Sequence, residues 1–138
     1  MPTLPSGLPE TVDDGEDLAR FLTQSGHYTQ QKVQPSAFLP SPKDKATSVS
    51  RHGREPLDQL KQLGRDAAGA RPLYGAAILK ARDVQDAQLQ VVATEPPPRH
   101  ALIQGWPIGS DPGMQKAQQK ERALRLASTA GMPLLFDP

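Results

Sequence analysis

The amino-acid sequence predicts an α+β domain: a small antiparallel sheet of about four to five strands, with three helices packed mainly on one face. Three observations lead there. The apolar periodicity runs helix, strand, strand, helix, strands, helix along the chain, with no internal repeat. The length of 138 residues suits one domain. The 15 prolines, about twice the usual share, fall in the tails and between predicted elements, so they read as rigid joints. Leu, Ile, Val and Phe together number only 28, which limits the core, but a net charge of +1 supplies no self-repulsion to hold the chain open. The expected organisation is a flexible proline-containing acidic tail over 1–13, a single compact domain over 14–131 and a C-terminal tail over 132–138.

The elements follow in order. Asp13 or Asp14 suits a helix cap, Glu16 and Asp17 suit the positive end of the dipole, and Leu18, Phe21 and Leu22 share a helical face. A helix is therefore predicted from about Gly15 to Ser25, stopped near Gly26. Tyr28 to Val33 reads as a short strand. Pro35, Pro40 and Pro42 exclude a central strand or helix beyond it, and Ala37-Phe38-Leu39 reads as a loop plugged into the core. Thr47 to Arg51 is β-prone with Val49 its only strong apolar residue, as in a short edge strand.

Pro56 suits the first turn of a second helix, with Leu60, Gly64 and Ala67 on its stripe and Gly69 and Pro72 ending it. Gly64 costs up to about 1 kcal/mol relative to Ala, a cost that close packing can justify. Leu73 to Ala81 is consistent with strand or helix. Pairing with the strand-like Leu89 to Ala93 across a polar linker favours an antiparallel hairpin. Pro96-Pro97-Pro98 is a stiff entry to a strand over His100 to Trp106. Met114 to Ala130 is the strongest helix pattern, with Ala117, Leu124, Ala127 and Ala130 on one face, Ala123 and Leu126 beside it, and Gly131-Met132-Pro133 as its stop. Leu134 to Phe136 is apolar enough to dock on the body.

Composition excludes several chemistries. Without cysteine there is no disulfide, thiolate nucleophile or cysteine zinc site. His27, His52 and His100 lack metal-ligand spacing, so neither metal nor cofactor is expected. No apolar run approaches the roughly 18–20 residues of a membrane helix, and Met1 to Pro9 lacks a signal pattern, so a soluble cytoplasmic protein is expected. Five acids against Arg20 make the first 20 residues acidic, and the remainder is mildly basic. Glycine loops for phosphate and the G-x-S-x-G elbow are missing, and six aromatics leave little for base stacking.

Four constellations remain. Ser48-Val49-Ser50-Arg51-His52-Gly53-Arg54 combines hydroxyls, an imidazole and two guanidiniums before a helix start, suited to an anion; the plainer reading is a solvated connection. Arg99-His100 follows the rigid prolines, and imidazole is tuned for proton transfer near neutral pH, although a hydrogen-bonded structural histidine is the plainer reading. Lys116, Lys120, Arg122 and Arg125 ring the last helix without forming a stripe, as on a solvated helix. Arg71-Pro72-Leu73-Tyr74 offers a supporting hydroxyl in Tyr74, and Trp106 reads as closing the core. The candidate site is thus His100 and His52 for proton transfer, Arg51, Arg54 and Arg99 for an anion, and Tyr74 and Trp106 in support.

The order Ser48-Val49-Ser50-Arg51, Tyr74-Gly75-Ala76-Ala77 and His100 to Pro107, followed by an Ala/Leu-rich helix, resembles small bacterial proteins with no assigned chemistry. The resemblance spans about residues 15–130 and implies a bacterial origin and a compact domain, but no activity. The absence of a complete catalytic motif favours a non-catalytic accessory or protein-binding module that docks a partner through its acidic leader or apolar tail. The alternative is a small enzyme or anion-binding domain, which requires Arg51 and His100 to converge on one cleft. Weak nucleic-acid binding is a third reading.

Overall fold

The computed structural model describes residues 4–52, 56–109 and 111–136. The order of elements is β1 (Asp17–Leu22), β2 (Thr47–His52), α1 (Leu57–Ala68), β3 (Gly75–Lys80), α2 (Ala81–Asp86), β4 (Gln90–Ala93), β5 (His100–Gln104), α3 (Pro112–Ala130) and β6 (Leu134–Leu135). The strands form one antiparallel sheet in the order β4-β5-β2-β1-β3-β6, one strand more than the upper sequence expectation. The class is therefore α+β, as predicted.

Strand alternation divides the side chains between two faces. On one face Leu18 and Leu22 of β1, Val49 of β2, Leu79 of β3 and Ile103 of β5 meet α2 and α3 through Val84, Ala123 and Leu126. On the other face Ala19, Phe21 and Ala76 meet Leu60 of α1, with Leu63 beside it. Gly64 faces Phe21 here: a Cβ at this position would stand 2.9 Å from the Phe21 ring and from Leu73. The close approach expected of this glycine is what seats α1 on the sheet.

The predicted first helix is instead β1. Leu18, Phe21 and Leu22 fit a helical stripe, but a strand buried on both faces also reads as an unbroken apolar run. The acids that suggested a helix cap close a turn: the Glu16 amide donates to the Asp13 carbonyl at 3.0 Å and the Asp13 amide to the Glu16 carboxylate at 2.6 Å. The expected hairpin between 73–81 and 89–93 does not form. β3 pairs with β1 and β6, whereas α2 occupies the supposed linker and carries the chain to the opposite edge, where β4 pairs with β5. Tyr28 to Val33 is reduced to a single bridge between its end residues.

The last helix keeps its predicted span almost unchanged, with the Asp111 side chain accepting from the Gly113 and Met114 amides at its start and Gly131 at its end. Its buried residues are Ala123, Leu126 and Ala127, whereas Leu124, placed on the buried stripe by spacing, is exposed.

β2 is central, between β5 and β1, not an edge strand. Its polar side chains made it look peripheral. Ser48 and Ser50 point to the α1 face, and Thr47 and Arg51 to the main-core face, where Arg51 is fully buried. A central strand that breaks apolar patterning on both faces marks a place where the fold serves something besides packing.

Both terminal segments engage the body. Ser6 donates from its amide and hydroxyl to Glu95, and the Pro9 carbonyl accepts from Arg51 at 2.7 Å. Leu134 and Leu135 pair with Ala76 and Gly75, and the Phe136 amide donates to the Tyr74 carbonyl. Among the described residues, no helix is long and apolar enough to cross a membrane.

Candidate functional site

A cavity of about 250 Å³ opens through the gap where β1 and β2 part, lined by Ser48, Ser50 and Ala67 from the α1 side and by Arg20 and Val49, which strand alternation places on the main-core face with Leu18 and Leu22. The two strands pair only from Asp17 to Ala19. Beyond that point the Arg20 side chain fills the gap, donating from Nε to the Ala37 carbonyl at 2.7 Å and from Nη1 to the Ser48 carbonyl at 2.9 Å. A backbone carbonyl released by the splayed ladder is thus satisfied by a guanidinium.

Arg71 enters from the far wall. It follows the Gly69 end of α1 and donates from Nε to the Ala68 carbonyl at 3.1 Å and from Nη2 to the Ala67 carbonyl at 2.9 Å. These are orphan carbonyls at the negative end of the helix, where a cation is favoured. No carboxylate of the described residues forms an ion pair with Arg20 or Arg71. Burial, and after it the Arg71 charge, pushes the Arg20 guanidinium down to about 10, so it remains charged at neutral pH. Asp66, also on the wall, accepts from Gln62 at 2.9 Å.

His100 opens β5 on the α1 face. It stands opposite Ser50 of β2. Because the Arg51 amide donates to the Arg99 carbonyl at 2.7 Å, Arg51 and Arg99 are the hydrogen-bonded pair, and Ser50 with His100 is the closer, non-hydrogen-bonded kind. The His100 Nδ1 lies 2.6 Å from the Thr94 hydroxyl, which holds the ring in place. Neither Nε2 of His100 nor the Ser50 hydroxyl has a hydrogen-bond partner among the described residues, and both residues line the cavity. They also line an adjoining recess of about 130 Å³ walled by Leu63, Ala67, Pro97 and Pro98.

The predicted site residues separate. His100 faces the cavity, but Arg51 points to the other side of the sheet, opposite Leu18. There its Nε and Nη2 donate to the two Glu16 oxygens at 2.8 and 2.7 Å, and its Nη1 donates to Pro9. The expected convergence of Arg51 and His100 on one cleft does not occur, because one residue's shift along a strand reverses the face. Burial acts to raise the Glu16 carboxyl, but the Arg51 hydrogen bonds, the Asp13 amide and the Arg51 and Arg99 charges outweigh it and hold the group below its ordinary range. Arg99 donates to the Arg51 carbonyl at 3.3 Å, bracing β2 against β5. Tyr74 and Trp106 belong to the main core: Tyr74 packs 5.5 Å from the Tyr28 ring, and the Trp106 indole donates to the Ile103 carbonyl. Arg54 and the His52 side chain lie outside the described residues.

Sequence reasoning missed Arg20 and Arg71 as site residues. The signal for Arg20 was present as a lone charge inside the apolar run Leu18-Ala19-Arg20-Phe21-Leu22. It also missed His27, which is buried, has no hydrogen-bond partner for Nδ1 among the described residues, and is pushed down first by burial and then by the Arg20 charge. What the arrangement can do chemically is hold an anion between two guanidiniums, with a hydroxyl and an oriented imidazole alongside. Comparison of the chain with family models, curated proteins and solved structures returns no match.

Proposed function

We propose that this domain binds a small anionic ligand in the cavity between β1, β2, β5 and the end of α1. The observation that carries the reading is the placing of Arg20 and Arg71 in the wall of one cavity, with no ion pair to either among the described residues and a single carboxylate, Asp66, lining the same space. Bringing two like charges together costs free energy, which a bound anion returns as charge-assisted hydrogen bonds. Ser50 and His100 supply further polar atoms at the same wall.

The protein-docking reading drew on the two terminal segments. Ser6, Pro9, Leu134 and Leu135 are bonded to the body, which favours the ligand reading over it. The charges of α3 give nucleic-acid binding no comparable focus.

The test is titration calorimetry at neutral pH with acetate and with inorganic phosphate, on the wild type and on Arg20→Met. The expected result is binding by the wild type that weakens at least tenfold in the variant, equivalent to a charged hydrogen bond of about 1.5–3 kcal/mol. Failure of the wild type to bind any small anion, or an unchanged affinity in Arg20→Met, overturns the reading.

A further inference from the structure

We infer that the ligand is a monocarboxylate carrying one compact apolar group, such as an aryl or branched alkyl acid, with its head between Arg20 and Arg71 and its body in the adjoining recess; this rests on the anion-binding reading above.

Two features of the site lead there. The first is charge. Arg20 and Arg71 contribute two positive charges to the cavity wall and Asp66 one negative, a surplus of one. Asp66 also lines the adjoining recess, so it stands where the two spaces join and opposes a second negative charge on the ligand. A singly charged head is matched, whereas a dianionic phosphate head meets the Asp66 carboxylate.

The second is shape. The cavity and the recess share Ser50, Asp66, Ala67, Pro97 and His100, so one molecule spans both. The recess is walled by Leu63, Ala67, Pro97 and Pro98 and measures about 130 Å³. An apolar cavity of about 150 Å³ accepts a benzene ring, so this space suits a single ring or a branched alkyl group. Small-ligand sites of this kind combine an apolar lining with a few placed polar groups; here the two arginines line the cavity alone, while Ser50, Asp66 and His100 stand where it meets the recess. The polar end binds charge and the apolar end adds affinity by removing hydrocarbon from water.

Calorimetry with four probes tests this: acetate, benzoate, phenyl phosphate and benzyl alcohol. Benzoate is expected to bind at least tenfold more tightly than acetate and more tightly than phenyl phosphate, and benzyl alcohol to bind more weakly than benzoate by a similar factor. Ala67→Phe, at an exposed helix position, fills the recess and is expected to bring the benzoate-to-acetate ratio toward one; Ala67→Leu is the milder companion should the first variant not fold. Benzoate no tighter than acetate, with acetate binding still lost in Arg20→Met, overturns the apolar half and leaves anion binding standing. Phenyl phosphate tighter than benzoate overturns the single-charge assignment. Binding of benzyl alcohol as tight as that of benzoate overturns the role of the arginine pair and the anion-binding reading with it.

Discussion

Arg51 and Arg20 lie on adjacent strands of one sheet and are treated in opposite ways. Arg51 is swallowed by the main-core face, where Glu16 takes two of its donors and the Pro9 carbonyl a third. Among the described residues Arg20 donates to carbonyls alone, with a second guanidinium as its neighbour and an open cavity before it. The first arrangement closes the N-terminal segment over the sheet. The second leaves a charge available. What separates the two arginines is that Arg51 forms an ion pair with Glu16, whereas among the described residues Arg20 forms none.

That contrast breaks most visibly through stability. Glu16→Gln leaves Arg51 buried and uncompensated, and a loss of about 3–5 kcal/mol is expected in urea unfolding. Arg20→Met removes an unpaired charge and orphans two carbonyls, so a loss below about 2 kcal/mol is expected beside a tenfold or greater loss of anion affinity. Equal losses of stability in the two variants would erase the distinction.

The two sites also separate along the pH axis. The Glu16 carboxyl is lowered in the folded protein, so its contribution is present above its ordinary value of 4.5 and is lost as the pH falls through its folded value. His27, beside Arg20, is lowered too, but it is a base. The unfolded chain takes up its proton more readily, so stability declines as pH falls through the ordinary 6.5 toward the folded value. Melting temperatures from pH 8 to pH 3 should therefore fall in two windows, with His27→Phe flattening the upper one and Glu16→Gln the lower. An upper window unchanged in His27→Phe overturns the assignment. The smallest effect belongs to Thr94→Val, which frees the His100 ring and is expected to weaken anion binding about threefold with little change in stability, in line with one neutral hydrogen bond.

How much of this was legible in the sequence varies with how local the cause is. The last helix could be read because its cap, its glycine stop and its spacing are all local. Gly64 could be read as a packing glycine for the same reason. β1 could not, since a five-residue apolar stretch with a charge inside satisfies helix and strand alike. The hairpin failed because pairing partners are a property of the whole sheet: β3 and β4 are close in sequence and lie toward opposite edges. At the site, the segment from Ser48 to Arg51 and His100 stood out in the sequence as dense in polar groups, but its members were assigned to one cleft. Ser50 and Arg51 are neighbours in sequence and opposites in space.

The amino-acid sequence by itself determined the class of the fold, the capped and glycine-terminated last helix, the rigid proline joints and the absence of cysteine chemistry, because each follows from local propensity or composition. Only the tertiary structure decided which arginine is neutralised and which faces the cavity. That choice depends on where β1 and β2 part and on a carboxylate 35 positions away from Arg51, neither of which leaves a trace in the residues adjacent to it.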